Sequence, residues 1–377
     1  MITFVVFFLI LSLLVLIHEF GHFITAKKFG IKVEEFGFGL PPRVLGKQRG
    51  ETLYSINALP FGGFVKLLGE DSEDEKTNLD PRSFGAKSPW KRALILVAGV
   101  TMNVLLGVAI YYVFFSITNF KSLTIPLLYD YDFKFGQEKT VNTVISGFSE
   151  ESLADDAGIK SGEAILEINN VPVYTLDDVK TQVKDKPNQK VKLLVMDVIS
   201  LENTLRTVEV TTINGDKGEG LLGVGLSKAV TLSYQGNQRP LAGFYHAYNI
   251  MSYSAHTFGN IIKDSVREKD ATLVSSSVSG PIGIFGVVGS ILDYGGKEAF
   301  LGILDLTAIL SLSLAFLNVM PFPALDGGRL VFVLFEAITK KKPSQKIETT
   351  IHKWGMLFLL LLIALVTIKD LTSIFGS

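Results

Sequence analysis

The amino-acid sequence predicts a multi-pass α-helical membrane protein with four transmembrane helices, an inserted α+β domain and a membrane-associated β-hairpin. Hydrophobic residues make up 47% of the 377 positions, and the mean hydropathy is +0.35, as is typical of integral membrane proteins. Several apolar runs are long enough to cross a bilayer. A long segment between them has the short alternating runs and the glycine-rich turns of a β-containing domain.

The composition also excludes several classes of protein. The 36 basic and 37 acidic residues nearly cancel, so we expect no nucleic-acid partner. There is no cysteine, which rules out disulfides, a cysteine nucleophile and zinc held by thiolates. Any metal site must therefore be built from histidine and carboxylate ligands.

Four apolar segments are the predicted transmembrane helices. Residues 2–26 would form about 37 Å of helix, against a hydrocarbon core of roughly 30 Å. No basic residue precedes Lys27 and no small-residue cleavage site follows the apolar run, which argues against a signal peptide. The other predicted transmembrane helices are residues 93–118, 300–320 and 355–368.

Basic residues near the ends of these segments predict the orientation of the chain. They follow the first helix, precede the second and lie between the third and fourth: Lys27, Lys28, Lys32, Lys91, Arg92, Lys340, Lys341, Lys342 and Lys346. Such residues are enriched in cytoplasmic loops. We therefore expect both termini and residues 121–298 on the outer side of the membrane.

An HExxH motif, residues 18–22, lies inside the first predicted helix. Two histidines four residues apart project from one face of a helix, so His18 and His22 can ligate one Zn²⁺. Glu19 would lie beside the metal, where it can take a proton from bound water. His18 precedes Lys27 by nine residues, about 13 Å of helix. The predicted site therefore lies in the cytoplasmic half of the membrane.

A catalytic zinc usually has three protein ligands, so the third must come from elsewhere in the chain. The best candidate is Asp326, which follows a stretch interrupted by Pro321 and Pro323. Irregular backbone at membrane depth is tolerated where it lines a protein cavity. Taken alone, Asp326 and the two glycines after it are equally well explained as a turn, or as a cap for the apolar residues 330–338.

Residues 18–22 and 318–328 together closely resemble motifs of the site-2 protease family (peptidase M50) of intramembrane zinc proteases, and are most similar to its bacterial RseP-type group. The resemblance covers nearly the whole chain, including residues 99–103 and 279–284. It implies that the zinc ligands are His18, His22 and Asp326 and that the catalytic base is Glu19. The predicted substrate-binding residues are Asn318, Pro323, Gly62, Gly63 and Asn103.

The segment between the second and third predicted helices looks like a single PDZ domain. Its predicted strands are residues 141–145, 164–168, 191–196 and 207–212, with a helix over residues 176–183. Such domains commonly bind an extended peptide as an added strand; the alternative is a folded spacer that binds no peptide. The predicted domain boundaries are 1–120 for the first membrane half, 121–230 for the PDZ-like domain, 231–299 for a linker with an amphipathic segment, and 300–377 for the second membrane half.

Residues 54–67 are apolar and strand-like, with a break at Gly62 and Gly63. A glycine pair permits a tight hairpin turn or a close backbone approach. The resemblance implies that this hairpin dips back toward the active site, where its edge could hold a substrate as an extended strand. A surface hairpin that only stabilises the loop is the alternative.

These observations predict an intramembrane zinc metalloendopeptidase. Its expected substrates are transmembrane helices of single-pass membrane proteins, such as anti-sigma factors, or signal-peptide remnants. Two alternatives remain open: a metal transporter, in which Glu19 would not be needed as a base, and a catalytically inactive PDZ scaffold. The other histidines lack ligand spacing, so we expect ordinary polar or packing roles for His246, His256 and His352.

Overall fold

The computed structural model describes residues 1–70, 80–149, 152–198, 204–215, 218–269 and 279–375. It divides into two compact units. One comprises Met1–Tyr111 together with Ile261–Ser377, and the other comprises Tyr112–Asn260.

Apolar helices dominate the first unit. In chain order, the helices of both units are α1 (Ile2–Lys28), α2 (Pro89–Ile117), α3 (Leu176–Val183), α4 (Ala242–Glu268), α5 (Pro281–Asp293), α6 (Gly296–Val319), α7 (Asp326–Thr339) and α8 (Gln345–Phe375). Helix α3 and most of α4 belong to the second unit. Among the described residues, four helices are long and apolar enough to cross a membrane: Ile2–Lys28, Pro89–Ile117, Gly296–Val319 and Lys346–Thr372. Their number agrees with the prediction.

Helix α8 begins ten residues earlier than the predicted fourth transmembrane helix. The added residues include Lys346, Glu348 and Lys353, which an apolar-run criterion leaves out. Backbone hydrogen bonding continues through such polar residues because all three are good helix formers. Helix α6, in contrast, ends at Val319, just before Pro321 and Pro323, as the sequence predicted.

The hairpin of the first unit consists of β1 (Val33–Arg49) and β2 (Thr52–Leu67), which pair antiparallel. Its turn lies at Gly50 and Glu51, so Gly62 and Gly63 do not form the turn. They instead interrupt β2, where Gly62 has a φ of +86°. This positive φ suits glycine, and the pairing register of β2 changes at this point. Segment 35–38 of β1 therefore has neighbours on both sides: residues 53–56 pair with it on one side, and the residues after Gly62 pair with it on the other.

The second unit is built on an antiparallel sheet. Its strands are β3 (Ile125–Leu127), β4 (Gln137–Phe148), β5 (Glu163–Ile168), β6 (Val171–Pro172), β7 (Lys190–Asp197), β8 (Leu205–Thr211) and β11 (Val224–Ser233), and a separate pair is formed by β9 (Ile213–Asn214) and β10 (Gly220–Leu221). The main order is β3-β11-β4-β5-β7-β8, with β6 beside β5. Buried residues such as Ile165, Val191 and Val210 pack with Val179 of α3 into one core.

Three of the four strands predicted for this unit lie within observed strands, and the fourth, residues 207–212, extends one residue past the end of β8. The predicted helix coincides with α3. A capping box begins that helix. The Thr175 hydroxyl accepts from the Asp178 amide at 3.2 Å, while the Asp178 carboxylate accepts from the amides of Tyr174 and Thr175. These backbone donors lower the pKa of Asp178. The PDZ assignment itself remains a prediction.

The core of the second unit also contains a buried histidine. His246 on α4 is 1% exposed, and its Nδ1 lies 2.9 Å from the hydroxyl of Tyr234. The ring packs edge-on against Phe115. Burial lowers the pKa of His246 to about 3, because the charged imidazolium loses its hydration there.

We expect acid to destabilise this unit through His246. In the unfolded chain this histidine is protonated below pH about 6.5, whereas in the folded chain it stays neutral down to about pH 3. The free energy of unfolding therefore falls by about 1.4 kcal/mol per pH unit between these two values. Thermal unfolding of the full-length protein, followed by circular dichroism at pH 7 and pH 5, measures the loss. A His246→Gln variant should lose less on acidification; an equal loss in both proteins would contradict the prediction.

A carboxylate from α8 caps the short helix α5. Oδ2 of Asp370 accepts from the amides of Gly280 and Gly283, both at 2.9 Å. A Cβ at Gly280 would lie 2.8 Å from the same oxygen. The glycines of the segment 279–284 therefore let the carboxylate reach the amides that begin α5.

We expect Asp370→Ala to lower the thermal unfolding midpoint clearly, because it leaves two largely buried amides without an acceptor. The cost of such unsatisfied groups is about 1–3 kcal/mol each. Asp370→Asn keeps an acceptor and should have a smaller effect. Fluorescence-detected size-exclusion chromatography after heating measures both variants, and an Asn variant as unstable as the Ala variant would show that charge, rather than the cap, matters.

Candidate metal centre

The two histidines of the HExxH motif face each other on α1. His18 and His22 are 7% and 8% exposed, and their Nε2 atoms lie 3.1 Å apart. The four-residue spacing places both rings on one side of the helix. Both Nε2 atoms can thus bind the same metal ion.

A close helix crossing encloses these rings. A Cβ at Gly99 of α2 would lie 2.4 Å from Nε2 of His22, and a Cβ at Gly21 would lie 2.4 Å from the carbonyl oxygen of Ala98. Real Cβ atoms do not approach other atoms this closely. Glycine at both positions therefore allows α1 and α2 to meet at the histidines.

The same crossing orients His22. Its Nδ1 lies 2.8 Å from the carbonyl oxygen of Ile95. A carbonyl only accepts, so Nδ1 carries the proton and Nε2 keeps its lone pair. This is the tautomer that a metal ligand requires.

Asp326 completes the cluster from the far end of the chain. It is the first residue of α7, and its Oδ2 lies 3.0 Å from Nε2 of His18 and 3.2 Å from Nε2 of His22. The two explanations that the sequence left open are thus compatible, because Asp326 begins a helix and also faces the histidines. The next two glycines are tightly packed: a Cβ at Gly327 or Gly328 would lie 2.2 Å from a backbone oxygen of the preceding connection.

The three donor atoms fit a zinc ion. They lie 3.0–3.2 Å from one another, whereas tetrahedral zinc with bonds of about 2.0–2.1 Å separates its ligands by roughly 3.3 Å. At these separations, the lone pairs of the two imidazoles and of the carboxylate oxygen repel one another. A cation or a proton among them removes the repulsion. Among the described residues, this is the one cluster of its kind.

Helix α8 holds the connection that precedes Asp326. The amide of Ala324 donates to Nδ1 of His352 at 2.9 Å, and Ala324 has a φ of +77°. A Cβ at Gly355 would lie 2.3 Å from Cβ of Pro323. The sequence predicted an ordinary polar or packing role for His352 but did not show that it positions this connection, since its partner is a backbone amide that no spacing rule identifies.

Two ion pairs hold α7 in place. Arg92 and Glu336 are about nine-tenths buried and pair at 2.5 Å, joining the start of α2 to α7. Arg329 pairs with Glu70, which follows β2. Removing one partner of a buried pair leaves an uncompensated charge, so these contacts constrain the helix that carries Asp326.

Glu19 lies between the histidines and β2. It is half-buried, whereas its neighbour His18 is buried. A Cβ at Gly63 would lie 3.8 Å from Cγ of Glu19 and 3.0 Å from the carbonyl oxygen of Gly37. Gly63 therefore lies next to Glu19, and the tight contact that glycine permits at this position is with Gly37 of β1.

The other predicted site residues are more dispersed. Asn318 is half-buried in the last turn of α6, and Pro323 lies against Gly355 in the connection to α7. Asn103 is fully buried, with Nδ2 3.3 Å from Nδ1 of His18. Asn103 therefore faces a predicted zinc ligand, and its substrate-binding role stays a prediction.

Comparison with known proteins adds independent information. Residues 6–362 match the model of peptidase family M50. A Clostridium perfringens protein that bears a zinc metalloprotease name is 33% identical over 360 residues, 96% of either chain. A Fusobacterium nucleatum protein with such a name is 29% identical over 381 residues, 99% of this chain and 100% of the relative. Zinc metalloprotease RasP of Shouchella clausii is 27% identical over 457 residues, 99% of this chain and 100% of the relative.

Proposed function

The chain belongs to peptidase family M50 and is a membrane zinc metalloprotease, and we propose that it cleaves transmembrane segments with zinc held by His18, His22 and Asp326. The observation that carries this proposal is the convergence of the three donor atoms within 3.2 Å, although Asp326 is more than 300 positions from the histidines in the chain.

Each residue of the centre has a separate role in the proposed reaction. Zinc, when bound, polarises the scissile carbonyl and acidifies a water molecule. The three ligands hold the ion, and the bond from His22 to Ile95 orients one of them. Glu19 accepts the proton of the attacking water and delivers it to the leaving amine. Its half-buried position beside β2 is compatible with a carboxylate that faces a substrate.

We propose that β2 presents the substrate to this centre. Residues 63–66 pair on one side with segment 35–38, and within the described chain no strand occupies their other side. A peptide bond in a helix is shielded, so the substrate must unwind, and an extended segment could then pair with this edge. The position of Gly63 beside Glu19 supports this role.

The proposed location is a bacterial cytoplasmic membrane, with the centre in its cytoplasmic half and both termini outside. Lys27 and Lys28 end α1, and Lys91 and Arg92 begin α2, which supports this orientation. The substrates proposed are single-pass proteins such as anti-sigma factors, or signal-peptide remnants, cut in regulated intramembrane proteolysis. The partners are thus a lipid bilayer and its embedded helices.

We propose that the second unit is a PDZ-like domain that screens substrates. A cavity of about 480 Å³ lies between the end of β4, the start of β11 and α3, lined by residues such as Phe148, Val179 and Leu226. Its partly apolar walls suit an extended peptide. Deleting residues 141–226 should accelerate cleavage of a full-length, untrimmed substrate. If cleavage is no faster, the screening role is wrong, and the domain is a spacer.

Cleavage of a tagged single-pass protein in proteoliposomes tests the enzyme proposal. The wild-type protein should produce two fragments, lose activity in a zinc chelator and recover it with added Zn²⁺. Asp326→Asn should lose both zinc and cleavage. Metal flux without cleavage would instead identify a transporter, and a cellular role unaffected by His18→Ala would identify a scaffold; either result contradicts the proposal.

A further inference from the structure

We infer that Asn103 is a positioning residue that sets the tautomer and the ring orientation of the zinc ligand His18. The inference rests on the proposed function, because it assumes that His18 binds the metal. It replaces the substrate-binding role predicted for Asn103.

Asn103 is confined to a closed space that faces His18. Its side chain is fully buried, and the carboxamide nitrogen lies 3.3 Å from Nδ1 of His18. The carboxamide oxygen, Oδ1, is also buried and has no hydrogen-bond partner among the described residues. The backbone oxygen of Asn103 accepts from the hydroxyl of Ser311 at 2.8 Å, a contact between α2 and α6 that leaves the carboxamide untouched.

The chemistry of a metal-bound imidazole requires an acceptor at this position. His18 can offer the lone pair of Nε2 only if Nδ1 carries the proton, and a buried N–H needs a partner. A half-turn of the carboxamide exchanges its nitrogen and oxygen. Oδ1 then accepts from Nδ1–H of His18, and one movement satisfies both the buried oxygen and the ring proton.

The second histidine follows the same rule. Nδ1 of His22 donates to the carbonyl oxygen of Ile95, so both rings direct their Nδ1 protons at α2 and their Nε2 atoms at Asp326. The three positions of α2 involved, Ile95, Gly99 and Asn103, are spaced by four residues and share one face of the helix. Gly99 leaves room for the rings, and the residues on either side of it orient them.

Metal affinity of the full-length protein in detergent tests this role without relying on catalysis. We would titrate metal-free protein with Zn²⁺ against a chromophoric chelator and record the visible absorption of the Co²⁺-substituted protein. Asn103→Leu, which removes the acceptor, should weaken binding by about 10–100-fold, the usual effect of losing such a partner. Asn103→Asp keeps an acceptor oxygen and should restore most of the affinity and the Co²⁺ spectrum.

Ser311→Ala is the matched control, because it disturbs the packing around Asn103 without touching the acceptor, and it should bind zinc as the wild type does. Equal losses in the Asp and Leu variants, or wild-type affinity in the Leu variant, would overturn the inference. If the Leu variant does not yield a monodisperse protein, Asn103→Ala, which also lacks an acceptor, replaces it with the same expectation. A wild-type protein that binds no zinc would refute the proposed function itself, so the two failures are distinguishable.

Discussion

Glu19→Gln is expected to lower the rate of peptide hydrolysis by about 10²–10⁴-fold while the protein keeps its zinc. That range is the usual contribution of a positioned general acid or base. The amide is nearly the same size as the carboxylate but cannot take up the proton of the attacking water. His18, His22 and Asp326 remain unchanged, so the ligand set persists. Single-turnover cleavage of a tagged substrate, together with zinc content by elemental analysis, measures both quantities.

The control for this variant is Glu51→Gln. Glu51 lies in the turn of the β1–β2 hairpin and is 42% exposed in its side chain, so the substitution removes one negative charge far from the chemistry. It should leave cleavage within about twofold of the wild type, since exposed ion pairs contribute little. Full activity of Glu19→Gln would exclude Glu19 as the base. Loss of zinc would instead show that Glu19 supports the metal site.

Gly99→Ala is expected to abolish zinc binding and cleavage together. The added methyl group would lie 2.4 Å from Nε2 of His22 and 2.8 Å from Cε1 of His18. To relieve this overlap, either α1 and α2 must separate or the rings must rotate away from Asp326. Both responses destroy the arrangement of donor atoms. Zinc content and cleavage of the purified variant report the loss.

Gly107→Ala is the matched control on the same helix. Its Cβ would meet the side chain of Leu312 at 2.9 Å, so the overlap falls on a leucine and not on a predicted zinc ligand. Both substitutions exchange glycine for alanine in α2, so their effects on helix propensity are alike. Gly107→Ala should keep its zinc. A Gly99 variant with a full complement of zinc would show that the helix crossing adapts and that glycine is not required.

Much of the architecture was predictable because it depends on local patterns. Apolar run length identified the four candidate transmembrane helices, and Pro321 marked the end of α6. Four strands of the second unit, β4, β5, β7 and β8, were identified from alternation and turn residues, whereas β3, β6, β9, β10 and β11 were not predicted. The sequence left open whether Gly62 and Gly63 form a tight turn or a close backbone approach, since Gly50 and Gly62 both adopt positive φ and local sequence does not reveal which one reverses the chain.

The sequence by itself determined the chemistry that this protein can perform. An HExxH motif in an apolar helix, an aspartate after a proline-interrupted segment and the lack of cysteine limit the metal ligands to imidazole and carboxylate. Helical spacing explains why His18 and His22 act together, because that relation extends over a single turn.

Only the tertiary structure decided which groups surround those ligands. The approach of Gly99, the carbonyl of Ile95, the buried amide of Asn103 and the bond from Ala324 to His352 join residues distant in sequence. Such contacts depend on how closely two helices cross and which atoms their packing leaves in reach. Periodicity reports which face of a helix is apolar, but it contains no information about the partner that covers that face.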